Sequence, residues 1–138
     1  MYSSVRFERK RTRRMSKTVL LVEDDEDNRD LVIFVVSRSR LDIELEIAEN
    51  GQEALDKAFA NPPHLILMDM QMPVMDGWHA VPILKADERT KNIPIIAFTA
   101  QAKPEDKART KEIGCAEHYS KPMDPEELLG LMQRYLKL

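Results

Sequence analysis

The reading of the fold turns on "LILMDMQMPVMDG", Leu65 to Gly77. An unbroken apolar run, Leu65–Met68, ends on one carboxylate, Asp69, and Met72-Pro73 and Asp76-Gly77 punctuate the residues after it. A continuous apolar run of this length fits a strand buried on both faces, as in a parallel sheet. An ionised group at the tip of such a strand is costly to desolvate unless a partner or a metal compensates it.

Outward from this stretch, strand-like and helix-like segments alternate. Strands are expected at Thr18–Val22, Ile43–Ala48, Leu65–Met68, Pro94–Phe98 and Glu117–Ser120. A helix over "NRDLVIFVV" carries Leu31, Phe34 and Val35 at i, i+3, i+4 spacing, which predicts its inner face. Asn50 with Glu53 forms a capping box for a second helix, whose inner face is Leu55, Ala58 and Phe59. A third is expected over 78–86, where Pro82 requires a late start or a kink. A fourth starts at Pro104 and ends near Gly114, with Ala108 and Ile113 as its few anchors. Asp124 caps a fifth, whose Leu128, Met132 and Tyr135 face inward. Five strand–helix pairs in strict alternation predict an α/β fold with a parallel sheet and helices on both faces.

Length and composition agree. The 138 residues, 43% of them hydrophobic, fit one globular domain. No apolar run approaches the ~20 residues of a membrane span, so no membrane role is expected. The lone Cys115 excludes an internal disulfide and suits the cytoplasm; its expected role is packing, as is that of Trp78 and of Met68, Met70, Met72 and Met75. The net charge of −3 is uneven: residues 1–14 hold six bases and one acid, +5, leaving −8 for the rest. Residues 1–16 are read as a basic, disordered extension, or as the product of a start upstream of Met15, and 17–138 as the domain.

In open parallel sheets, ligands bind outside the carboxyl ends of the strands. Those ends carry Glu23-Asp24-Asp25, Asp69, Thr99-Ala100 and Lys121-Pro122. Several carboxylates together call for a cation, and oxygen ligands alone suit a hard ion such as Mg²⁺ rather than zinc. Lys121 and Thr99 suit phosphoryl oxygens, so the set reads as a site for adding and removing phosphate on a carboxylate, with Asp69 as nucleophile. None of the four glycines lies in a nucleotide-binding loop, so phosphate has to come from another protein or a small phosphodonor.

"LLVEDDEDNRD", "LILMDMQMPVMDG", "FTA" and "SKP", in this order, resemble the receiver domain of two-component response regulators over Lys17 to Lys137. The resemblance implies a five-stranded flavodoxin-like sheet of order 2-1-3-4-5. It implies that Asp69 accepts a phosphoryl group from a histidine kinase or histidine phosphotransfer protein. It also implies that Asp24, Asp25, Asp69 and the backbone carbonyl of Gln71 hold Mg²⁺, that Thr99 and Lys121 bind phosphoryl oxygens, and that Lys121-Pro122 is cis. The expected protein is a single-domain response regulator and not an enzyme. It signals by protein contact through helix four, strand five and helix five, or relays its phosphate. On activation Thr99 is drawn to the phosphoryl group and the loop after it moves. Gln71 sits where the family tunes dephosphorylation, in a direction the sequence does not give.

One departure bears on the switch. The family places Tyr or Phe three residues before the lysine; here that residue is His118, with Tyr119 next. His118 is read either as a partly exposed strand histidine or as a pH-sensitive switch residue beside Thr99. Two other classes compete with the regulator. A binding module independent of phosphorylation would have lost a site residue, and none is lost. An aspartate phosphatase would show D-x-D, where this chain has Gln71. Sequence-specific nucleic-acid binding is not expected, and a homodimer stays open.

Overall fold

A computed structural model describes residues 16–100 and 103–138 and the backbone of Ser4–Phe7. Its strands are β1 (Ser4–Phe7), β2 (Lys17–Val22), β3 (Ile43–Ala48), β4 (Leu65–Asp69), β5 (Ile95–Thr99) and β6 (Glu117–Ser120). The helices are α1 (Glu26–Ser39), α2 (Gly51–Ala60), α3 (Gly77–Ala86), α4 (Pro104–Ile113) and α5 (Pro125–Leu136). The sheet order is β1-β3-β2-β4-β5-β6, and every pair from β3 to β6 is parallel. Those five parallel strands have the expected order 2-1-3-4-5.

Residues alternate across the sheet with period two. Val19, Leu21, Leu67, Ile96 and Phe98 join the core with Val36 of α1 and Leu131 of α5. Leu20, Val22, Ile66, Met68 and Ile95 join the core with Leu55 of α2 and Leu84 of α3. The interior strands β4 and β5 are buried throughout, so each ends with its polar residue held at the sheet's carboxyl edge.

The structure corrects several expectations from sequence. Ser4–Phe7 lies inside the stretch expected to be disordered, yet it forms a strand antiparallel to β3, with Arg6 in register with Glu44. The edge of β3 offers a ladder of backbone groups to which a strand can pair. The rest of that extension, 1–3 and 8–15, lies outside the described residues.

In α1 the inner face is rotated from the expected one. Val35 and Val36 are buried, whereas Phe34 is 58% exposed with the Arg38 guanidinium 5.3 Å from its ring centre. In α4 the buried residue is Thr110, and Ala108 faces solvent. α3 starts at Gly77 on an Asp76 cap, so it does not start late and Pro82 lies inside it without an N–H to donate. Asn50 and Asp124 cap α2 and α5 as expected, and Gly114 ends α4 at φ 116°.

Candidate phosphoacceptor site

β2 delivers its acids first. The ladder runs one residue past Val22, because the Glu23 N–H donates to the Ala48 carbonyl at 2.9 Å. With Val22 in register with Met68, Glu23 falls level with Asp69. Glu23 is therefore buried, 4% exposed, while Asp24 is exposed beside it. Arg29, one turn into α1, folds back: its Nη1 donates to the carbonyls of Glu23 (3.1 Å) and Asp24 (3.0 Å) and holds this acidic turn in shape.

Asp69 is 2% exposed. Its Oδ1 accepts from the Gln71 N–H at 3.0 Å. Lys121 Nζ stands 3.1 Å from Oδ2, as an ion pair rather than a hydrogen bond, so Oδ2 is buried without a donor. The same ammonium lies 3.2 and 3.4 Å from the two Glu23 carboxylate oxygens. β6 and β5 bring Lys121 there: its N–H donates to the Thr99 carbonyl at 2.8 Å, and its peptide bond to Pro122 is cis. Thr99 is fully buried at the end of β5, one residue past Phe98, the register partner of Asp69.

Charge decides what this arrangement wants. Oxygen atoms of Glu23, Asp24 and Asp69 lie within 4.8 Å of one another, and Lys121 offers them a single positive charge. Burial, with Glu23 beside it, pushes the Asp69 carboxyl up to about 7, although the Gln71 N–H and Lys121 pull it down. Burial works against the Lys121 charge, yet Asp69 and Glu23 outweigh it and hold the ammonium above its usual range. The excess of carboxylates over the one ammonium, with an Asp69 oxygen that has no hydrogen-bond donor, fits a hard divalent cation.

Asp24, Asp69 and Lys121 thus meet as expected, and Thr99 ends the strand beside Asp69 with its hydroxyl on His118; Asp25 does not join them. Its carboxylate accepts the Asn28 N–H at 2.9 Å as the cap of α1, turned to the helix rather than to Asp69. The acid that joins the set is Glu23, which sequence reasoning places at the strand end but leaves out of the site. The Asp25-to-Asn28 spacing at a helix start is the signal that separates them.

His118 faces inward: its Nε2 is 3.0 Å from Thr99 Oγ1 and its Nδ1 3.3 Å from Thr110 Oγ1. The loop expected to move includes residues 101–102, which lie outside the described residues. In the β4–α3 loop, Val74 sits at φ 68°, a region unfavourable for a β-branched residue, and is 83% exposed. Trp78 packs on the α2–α3 core with Arg109 of α4 stacked 4.0 Å from its ring centre. Cys115 is buried, which pushes its thiol up to about 11.

This fold and site define a phosphoacceptor domain of two-component signalling. The chain belongs to the response regulator receiver domain family, whose pattern it matches over residues 19–133. It is 38% identical over 122 residues to the polar-differentiation response regulator DivK of Brucella ovis, covering 88% of this chain and 98% of that one. Its structure is similar to the chemotaxis protein CheY4 of Vibrio cholerae (TM-score 0.78, 32% identity, 88% of this chain and 99% of that one). It is also similar to the receiver domain of the sensor histidine kinase PA1611 of Pseudomonas aeruginosa, solved with a magnesium ion coordinated in its active-site cleft (TM-score 0.80, 28% identity, 90% and 100% covered). Among the described residues no helix is long and apolar enough to cross a membrane.

Proposed function

We propose that Asp69 is the residue that carries the phosphoryl group, and that a histidine kinase or histidine phosphotransfer protein supplies it. An Asp69 carboxylate oxygen attacks the phosphorus of the donor's phosphohistidine. The P–N bond breaks, its electron pair returns to the imidazole, and an aspartyl phosphate forms. The observation that carries this reading is the single Lys121 ammonium held between Asp69 and Glu23, at 3.1 and 3.2 Å. It is placed to follow the charge when a phosphoryl group arrives.

Glu23, Asp24, Asp69 and the Gln71 carbonyl are the groups that would hold Mg²⁺. When bound, the ion supplies positive charge that offsets the carboxylates and the phosphoryl oxygens. Thr99 donates to one phosphoryl oxygen and Lys121 pairs with another. The chain's role is regulatory and cytoplasmic rather than that of an enzyme with substrates of its own. Its output runs through the face of α4, β6 and α5, to a protein target or onward to another histidine protein. On that face Glu117 accepts from Arg134 at 2.9 Å and from the Tyr119 and Tyr135 hydroxyls.

The test is labelling by radioactive acetyl phosphate with Mg²⁺. Wild type should be labelled and Asp69→Asn should not; an unlabelled wild type, or a variant labelled as strongly, sinks the proposal.

A further inference from the structure

The inward ring of His118 joins the end of β5 to α4, and proton counting fixes how. Thr110 has one hydroxyl proton, and its Oγ1 is 3.0 Å from the Lys107 carbonyl and 3.3 Å from His118 Nδ1. A carbonyl oxygen can only accept, so the Thr110 proton goes to Lys107. His118 Nδ1 must then be the donor to Thr110 Oγ1. A neutral imidazole carries one N–H, which leaves Nε2 as an acceptor. The 3.0 Å contact between Nε2 and Thr99 Oγ1 is therefore filled by the proton of Thr99 itself. That proton is also the one a phosphoryl oxygen on Asp69 would require.

We propose that His118 is a positioning residue that sets the direction in which the Thr99 hydroxyl donates, and so gates its use by the phosphoryl group. The inference rests on the phosphoacceptor reading of Asp69. With the ring neutral, Thr99 has to leave His118 before it can serve the phosphoryl group. With the ring protonated, both nitrogens donate: Nε2–H points at Thr99 Oγ1, and the threonine proton is released toward Asp69. By linkage, a phosphoryl group that takes the Thr99 proton favours the protonated ring.

The surroundings set where this gate acts. Burial and then Lys107 disfavour the charged ring, with Asp106 opposing, so His118 titrates below the usual histidine range. Lys111 of α4 and Glu117 of β6 line the same groove, and β5 faces the ring with Ala97 and Thr99.

The experiment uses the full chain. Imidazole ¹⁵N shifts at about pH 7.5, with no phosphoryl mimic present, should show Nδ1 protonated and Nε2 bare; the opposite tautomer overturns the proposal. Beryllofluoride affinity with Mg²⁺ is then compared between wild type and His118→Phe. Release of one neutral hydrogen bond should make the variant bind about three- to tenfold tighter at pH 7.5. That advantage should fade as the pH is lowered below the usual histidine range and the wild-type ring charges. His118→Leu, whose side chain neither titrates nor hydrogen-bonds, serves for the same comparison if the phenylalanine variant does not fold. A ratio constant with pH overturns the gate while leaving Asp69 as acceptor. A wild type that does not bind beryllofluoride removes the phosphoacceptor reading and the gate with it.

Discussion

Replacing Asp69 by Asn should stabilise the metal-free protein, and by an amount that depends on pH. The Asp69 carboxyl moves from an ordinary 3.8 up to about 7 in the fold. An acid raised in this way is favoured in its neutral form. Its cost is absent below about pH 4, grows between pH 4 and 7, and is complete above 7. Three units correspond to about 4 kcal/mol. Part of this is returned, because the same pair holds the Lys121 ammonium above its usual range. Asn keeps an oxygen for the Gln71 N–H and removes the buried charge, so a net gain of about 1–3 kcal/mol is expected at pH 8 in EDTA. Urea denaturation at several pH values measures it: the gain should shrink toward zero as the pH falls to about 4. Added Mg²⁺ should reverse the order by stabilising wild type alone. An Asp69→Asn chain no more stable than wild type at pH 8, or a gain indifferent to pH, would refute the reasoning.

Lys121→Met leaves Glu23 and Asp69 facing each other without their cation, and should cost about 3 kcal/mol at pH 8 without Mg²⁺, read by urea denaturation. Gly77→Ala should cost about 1–3 kcal/mol and slow phosphorylation, since a Cβ there would lie 2.9 Å from the Asp69 carbonyl oxygen and 2.6 Å from Met70 Sδ. Val74→Gly relieves the left-handed backbone at φ 68°; after glycine's entropy cost a gain of about 0.5–1 kcal/mol should appear as a higher Tm. Asp24→Asn should weaken Mg²⁺ binding in calorimetry about tenfold or more without loss of the fold, because this acid is solvent-exposed.

The features legible from sequence are those that strand alternation controls. Leu65–Met68 can be buried on both faces only as a central parallel strand, and this alone puts Asp69 at the carboxyl edge. Thr99 and Lys121 come to the same edge by the same argument from "FTA" and "SKP". The features that escape it depend on a phase of one residue. Five consecutive acids, Glu23 to Asp27, come after Val22, and the extra ladder bond from Glu23 to Ala48 decides that Glu23 turns inward while Asp25 is taken by the α1 cap. Phe34 departs from its expected place for a related reason: its spacing with Leu31 fits a helix face, but Val35 and Val36 compete for the same contact and pack against the sheet. Ser4–Phe7 is hidden by its neighbours, since five basic residues follow within seven positions of a strand of four. The contacts of His118 are long-range and no local pattern encodes them.

The pairing of β1 with β3 has a practical consequence for anyone who handles this protein. A chain cut back to Met15 keeps every residue of the phosphoacceptor site, yet it bares the outer backbone of Ile43–Glu46, now matched by Ser4–Phe7. Bare edges of this kind recruit strands from other chains. A truncated sample that self-associates would then report its own missing strand rather than a signalling dimer, and assays of oligomeric state belong on the chain that begins at Met1.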